Sequence, residues 1–60
     1  MFQVKFKMNG HEFFLGENGK SNDRDSAQTF KGFKKACSEA EYLANLTDAT
    51  EICVVHYIGE

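Results

Sequence analysis

Phe2, Val4, Phe6 and Met8 alternate with Gln3, Lys5 and Lys7, the period of two that marks a strand with one face buried. Asn9-Gly10 follows. Both central residues of a type I′ turn need positive φ, which this pair adopts at the least steric cost. A two-residue loop sets a register in which Met8 faces His11, Lys7 faces Glu12, Phe6 faces Phe13, Lys5 faces Phe14 and Val4 faces Leu15. One face of the hairpin then collects Phe2, Val4, Phe6, Met8, Phe13 and Leu15, while Lys7 meets Glu12 directly across the other. Residues 16–26 are polar and carry a second Asn-Gly at Asn18-Gly19, read as a loop or another tight turn.

Further along, Phe33, Ala36, Cys37, Ala40, Leu43 and Ala44 form a helical stripe at i, i+3, i+4, i+7 spacing. The stripe extends back through Phe30 and Ala27 with Ser26 as a cap, but Gly32 inside such a helix costs about 1 kcal/mol. A short extended segment over residues 27–30 and a helix from about Gly32 to Leu46 is the preferred reading. After a turn at residues 47–50, the run Ile52-Cys53-Val54-Val55-His56-Tyr57-Ile58 is β-branched and apolar on both faces, the composition of a central strand.

This order predicts an α+β fold in a single domain over residues 1–60. Its antiparallel sheet has three to four strands, the N-terminal hairpin plus the C-terminal strand, with one helix packed on one face. One helix covers only one face, so the other keeps Lys5, Lys7, Glu12, Phe14 and an alternate set from the last strand. If that set is Cys53, Val55 and Tyr57, then Phe14 and Tyr57 stand on an uncovered, partly apolar surface of the kind that marks a partner.

Composition narrows the function classes. A 60-residue chain, 42% hydrophobic and 27% charged, is of a size that rarely encloses a substrate pocket of the usual ~300–1,000 Å3. No apolar run approaches the roughly 18 residues of a membrane span, and the N-terminus lacks the pattern of a signal peptide; the expected location is the bacterial cytosol. The net charge of −2 divides into +3 over residues 1–35 and −5 over residues 36–60, a polarity that orients an encounter with a charged partner.

Candidate chemistry is sparse. Cys37, Cys53, His11 and His56 do not fall at zinc-ligand spacing, and two cysteines in a reducing compartment read as small buried hydrophobes. Gly19-Lys20-Ser21 ends like a phosphate-binding loop, but Phe14 occupies the position of its first glycine. Asn22, Asp23 and Asp25 lack calcium-loop spacing and read as turn residues. Asn45-Leu46-Thr47 matches a glycosylation pattern that has no use without export. No metal, cofactor or catalytic residue is expected, and the chain reads as a non-enzyme. Lys31, Lys34 and Lys35 gather at the helix start, opposing the helix dipole. A net-acidic chain makes nucleic acid the less favoured partner.

Taken together, the opening Phe2-Gln3-Val4-Lys5-Phe6, the loop Gly16-Glu17-Asn18-Gly19-Lys20, the segment Asp25-Ser26-Ala27-Gln28-Thr29-Phe30, the helix and the closing Val54-Val55-His56-Tyr57 resemble small orphan proteins of bacteriophages and mobile elements. The resemblance implies a protein that binds and inhibits a host protein or complex, with an anti-CRISPR role as its most concrete form. Expected contacts are Phe14 and Tyr57 as anchors, Lys5 and Lys7 as rim charges, and Glu39 and Glu41 on the exposed helix face. The alternatives are a single-strand nucleic-acid binder using the same sheet face and a homodimeric accessory protein.

Overall fold

The structure, a computed structural model, describes residues 1–17 and 19–58. Strand β1 (Phe2–Met8) turns through Asn9 and Gly10 into β2 (His11–Gly16), and β3 (Gly19–Ser21) follows. A 3₁₀ turn at Arg24–Ser26 leads toward helix α1 (Phe33–Leu46), and β4 (Thr50–His56) closes the fold. The four strands form one antiparallel sheet in the order β3-β2-β1-β4, with α1 on one face. The α+β architecture expected from the sequence is the one observed.

The first hairpin follows its turn chemistry. Asn9 and Gly10 both take positive φ, 55° and 81°, and Met8–His11 through Lys5–Phe14 pair in the expected register. Regular pairing stops there, before Val4 and Leu15, because another segment takes their place. The Leu15 carbonyl accepts from the Gln28 amide at 3.0 Å, and Phe2 and Phe30 exchange backbone bonds of 2.7 and 2.8 Å. Residues 28–30 therefore fill the wedge where β1 and β2 part, in the extended form preferred over a longer helix. Gly16 pairs with Gly19 in a second hairpin; Asn18, expected in its turn, lies outside the described residues.

Helix α1 starts from Gly32, whose backbone is extended and supplies no side-chain cap. Beneath it Val4, Phe6, Phe30, Ala36 and Leu43 form the buried core, flanked by Met8, Phe13, Leu15, Ile52 and Val54. Ala36, fully buried, is small enough to let the helix approach the sheet. The stripe is narrower than its spacing suggested: Ala44 is exposed and Phe33 is 56% exposed, its ring standing edge-on to Phe2 at 5.5 Å. Cys37 is half-buried and Cys53 exposed, both as free thiols, so only the first approximates the buried hydrophobe expected.

Strand β4 has central-strand composition but an edge position, bonded on one side to β1 alone. Ile52 and Val54 point to the core, which sends Cys53 and Val55 to the opposite face by alternation. Glu51 has φ 51°, at the point where the β1–β4 register shifts between Lys5 and Lys7.

Candidate interaction surface

The face of the sheet turned away from α1 is built by alternation from Gln3, Lys5 and Lys7 of β1, Glu12 and Phe14 of β2, and Cys53 and Val55 of β4. It divides into two halves. Over the first, the Arg24–Ser26 turn folds across Gln3, which is fully buried. The Gln3 amide Nε2 donates to the Arg24 carbonyl at 2.6 Å, while Gln3 Oε1 is buried without a partner. Asp23 holds the turn in shape: its carboxylate accepts from the Asp25 amide at 3.0 Å and from the Ser26 hydroxyl at 3.1 Å.

Tyr57 closes this half. Its backbone amide bonds to the Met1 carbonyl at 2.8 Å, its hydroxyl donates to Asp25 Oδ1 at 3.1 Å, and the Arg24 guanidinium lies 5.5 Å from its ring centre. The phenol bond to the Asp25 carboxylate, reinforced by the carboxylate's charge, raises the Tyr57 pKa above its ordinary value of 10.0. Tyr57 thus has a binding partner inside the chain, acting as a latch on the 3₁₀ turn.

The second half carries no covering element among the described residues. Lys5 and Phe14 are directly paired across β1 and β2, with Cys53 beyond Lys5 and Ser21 beyond Phe14. Phe14 is half-buried, with Lys5 and Ser21 as its cross-strand partners. The charges arrange themselves diagonally. Lys7 faces Glu12 in the ladder but its ammonium lies 3.5 Å from Glu51, and Glu12 reaches Lys5 at 3.7 Å. The direct Lys7–Glu12 pair expected from the register is replaced because the bulge turns Glu51 toward Lys7. Both lysines are therefore locally neutralised. Between them lies a shallow, solvent-open depression of about 390 Å3 lined by Lys5, Lys7, Glu12, Glu51 and Cys53.

Of the residues expected as contacts, Lys5, Lys7 and Phe14 are brought together, and Tyr57 sits on the same face beyond buried Gln3. Glu39 and Glu41 are not part of this surface, since α1 lies across the sheet. Glu39 is half-buried and pairs with Lys35 one turn back at 3.8 Å, while Glu41 is exposed. Sequence reasoning missed two features. Arg24 and Asp25 cover the sheet, and nothing in a run of polar turn residues says which face they will fold over. On the helix side, Tyr42 and Leu46, 64% and 63% exposed, border a groove of about 240 Å3 with Leu15 and Leu43; their i, i+4 spacing outside the core stripe was the available signal. Among the described residues no group of three or more His, Cys, Asp or Glu is placed to hold a metal ion. Among the described residues no helix is long and apolar enough to cross a membrane. Comparison with protein-family models, with curated proteins and with solved structures finds no match.

Proposed function

We propose that this chain is a non-enzymatic binding domain that docks on another protein through the uncovered half of its sheet, with Phe14 as the anchor and Lys5 and Lys7 at the rim. The observation that carries the reading is the division of that face: a turn, a buried glutamine and a tyrosine latch close one half, while the other, with half-buried Phe14 beside Lys5, carries no covering element among the described residues. Aromatic side chains, phenylalanine included, are enriched at the cores of protein interfaces, which polar rims surround. The pairing of Lys5 and Lys7 with carboxylates favours a protein over a phosphate backbone, which needs uncompensated positive charge. Inhibition of a host complex, in the manner of phage-borne inhibitors and anti-CRISPR proteins, is the specific form this reading takes.

The test is capture of a stoichiometric partner from nuclease-treated bacterial lysate by the tagged chain, set against Phe14→Ala. Retention by the wild type and loss by the variant, both folded by circular dichroism, is the expected result. Recovery of nucleic acid alone from a parallel untreated lysate, released by moderate salt, would replace this reading with a strand-binding one.

A further inference from the structure

The two edges of the sheet are treated differently. At one, β3 is only three residues long and carries Lys20, two devices that discourage further pairing. At the other, β4 runs seven residues; its charge and its irregularity are confined to Thr50-Glu51, and the remaining Ile-Cys-Val-Val-His carries no charged side chain, proline or bulge to discourage pairing. Its free backbone groups can be assigned. Phe2 spends its amide and carbonyl on Phe30, so its pair with His56 is of the non-hydrogen-bonded kind, and bonded pairs alternate from there. Gln3–Val55 and Lys5–Cys53 are the bonded pairs. The amides and carbonyls of Ile52, Val54 and His56 consequently point outward, away from the sheet.

We infer that this edge pairs with a second copy of the chain, β4 against β4, about a two-fold axis through Val54. That register matches the regular part of the strand to itself, Val54 with Val54 and Ile52 with His56, and ends where the Glu51 bulge breaks the ladder. It forms three bonded pairs and about six hydrogen bonds. On the outer face it sets Cys53 of one copy opposite Val55 of the other. Glu51 falls opposite Tyr57 of the other copy, so no like charges meet.

The helix supports the same occupant. Glu39, Tyr42 and Leu46 line the groove beside Leu15 and Gly16 of β2, so at helical spacing Phe33, Cys37 and Ala44 lie on the flank above β4. Phe33 confirms the side, since its neighbour Phe2 also stacks on His56 at 5.3 Å. This flank is apolar and mostly small, which lets two helices on the same side of a joined sheet come close. The pairing uses an edge, not the Phe14 surface, and stands whether or not that surface binds a partner. It would set two such surfaces side by side on one continuous sheet.

Sedimentation equilibrium of the full chain from micromolar to millimolar concentration tests the pairing. The mass is expected to rise from 6.8 kDa toward twice that value. His56→Pro removes an outward amide that makes no bond among the described residues, and is expected to raise the dissociation constant roughly tenfold or more through its two lost hydrogen bonds. Its fold is checked by circular dichroism. In a Cys37→Ser background, Val55→Cys is expected to give a covalent dimer with Cys53 on mild oxidation, whereas the background alone is not. A 6.8 kDa mass at every concentration would overturn the inference, and efficient cross-linking of the background through Cys53 would overturn the Val54-centred register.

Discussion

Replacing Gln3 by Glu puts a titratable group at the fully buried position under the Arg24–Ser26 turn. At low pH the protonated acid keeps a donor for the Arg24 carbonyl, the bond that Gln3 Nε2 makes at 2.6 Å. As pH rises the group must either hold its proton while the unfolded chain loses it, or face that carbonyl oxygen as a carboxylate with no donor to meet it; the other oxygen inherits the site where Oε1 already lacks a partner. Burial of this degree raises a carboxyl pKa by up to ~3–5 units, equivalent to about 4–7 kcal/mol. The whole stability of a chain this size is only about 3–9 kcal/mol. The folded pKa is raised above the unfolded one, so the variant is at its best below about pH 4.3 and loses stability progressively as pH rises from there to the folded value. A local escape exists: the 3₁₀ turn can lift off, breaking the Tyr57–Asp25 bond and limiting the loss to the cost of that opening.

The assay is urea denaturation of wild type and Gln3→Glu at pH 4 and pH 7, followed by circular dichroism and by tyrosine fluorescence. The deficit of the variant relative to wild type is expected to be small at pH 4 and several kcal/mol at pH 7, or to appear at pH 7 as release of Tyr57. Gln3→Met is the control. It gives up one hydrogen bond and removes one orphaned acceptor, and is expected to fall within about 1 kcal/mol of wild type at both pH values. An equal deficit for Gln3→Glu at both pH values, with Tyr57 undisturbed, would refute the burial of position 3 beneath the turn.

Phe6→Ala removes the largest fully buried side chain of the core, a loss of about 3–5 kcal/mol that is expected to leave the chain largely unfolded by thermal denaturation. Gly32→Asp supplies the missing cap of α1 where there is open space for a side chain. It also sets a negative charge at the helix start, for an expected gain of about 0.5–1 kcal/mol read as a higher Tm. In a Tyr42→Phe background, ultraviolet titration of Tyr57 is expected to run above pH 10.0 and to fall back toward that value in Asp25→Asn. Because the folded pKa is the raised one, the latch contributes fully below the unfolded pKa and is lost as pH climbs through the folded value.

The first hairpin was legible because its information is local: alternation names the faces and Asn9-Gly10 sets the register. Gly32 was legible as a helix boundary from its propensity alone. The place of β4 was not, because an apolar strand reads the same whether both its ladders lie within one chain or one awaits another. The site was half legible. Alternation put Lys5, Lys7 and Phe14 on one face, but the fate of Tyr57 depended on a contact with Asp25 across 32 positions. Glu39 and Glu41 were placed on an exposed helix correctly as to element, yet the helix lies on the other side of the sheet. Phe33 and Ala44 fit the helical period but fall at its rim, on the flank above the edge strand β4, where they stay exposed.

The central claim is that the uncovered half of the sheet, and not the helix-side groove, is the partner surface. Quantitative binding of the captured partner to Phe14→Ala and to Tyr42→Ala, side by side, tests it most directly. The account predicts that Phe14→Ala weakens binding at least tenfold, about 1.4 kcal/mol, while Tyr42→Ala binds as the wild type does. Unchanged binding by Phe14→Ala with loss in Tyr42→Ala would contradict it and move the interface to the groove beside Leu46.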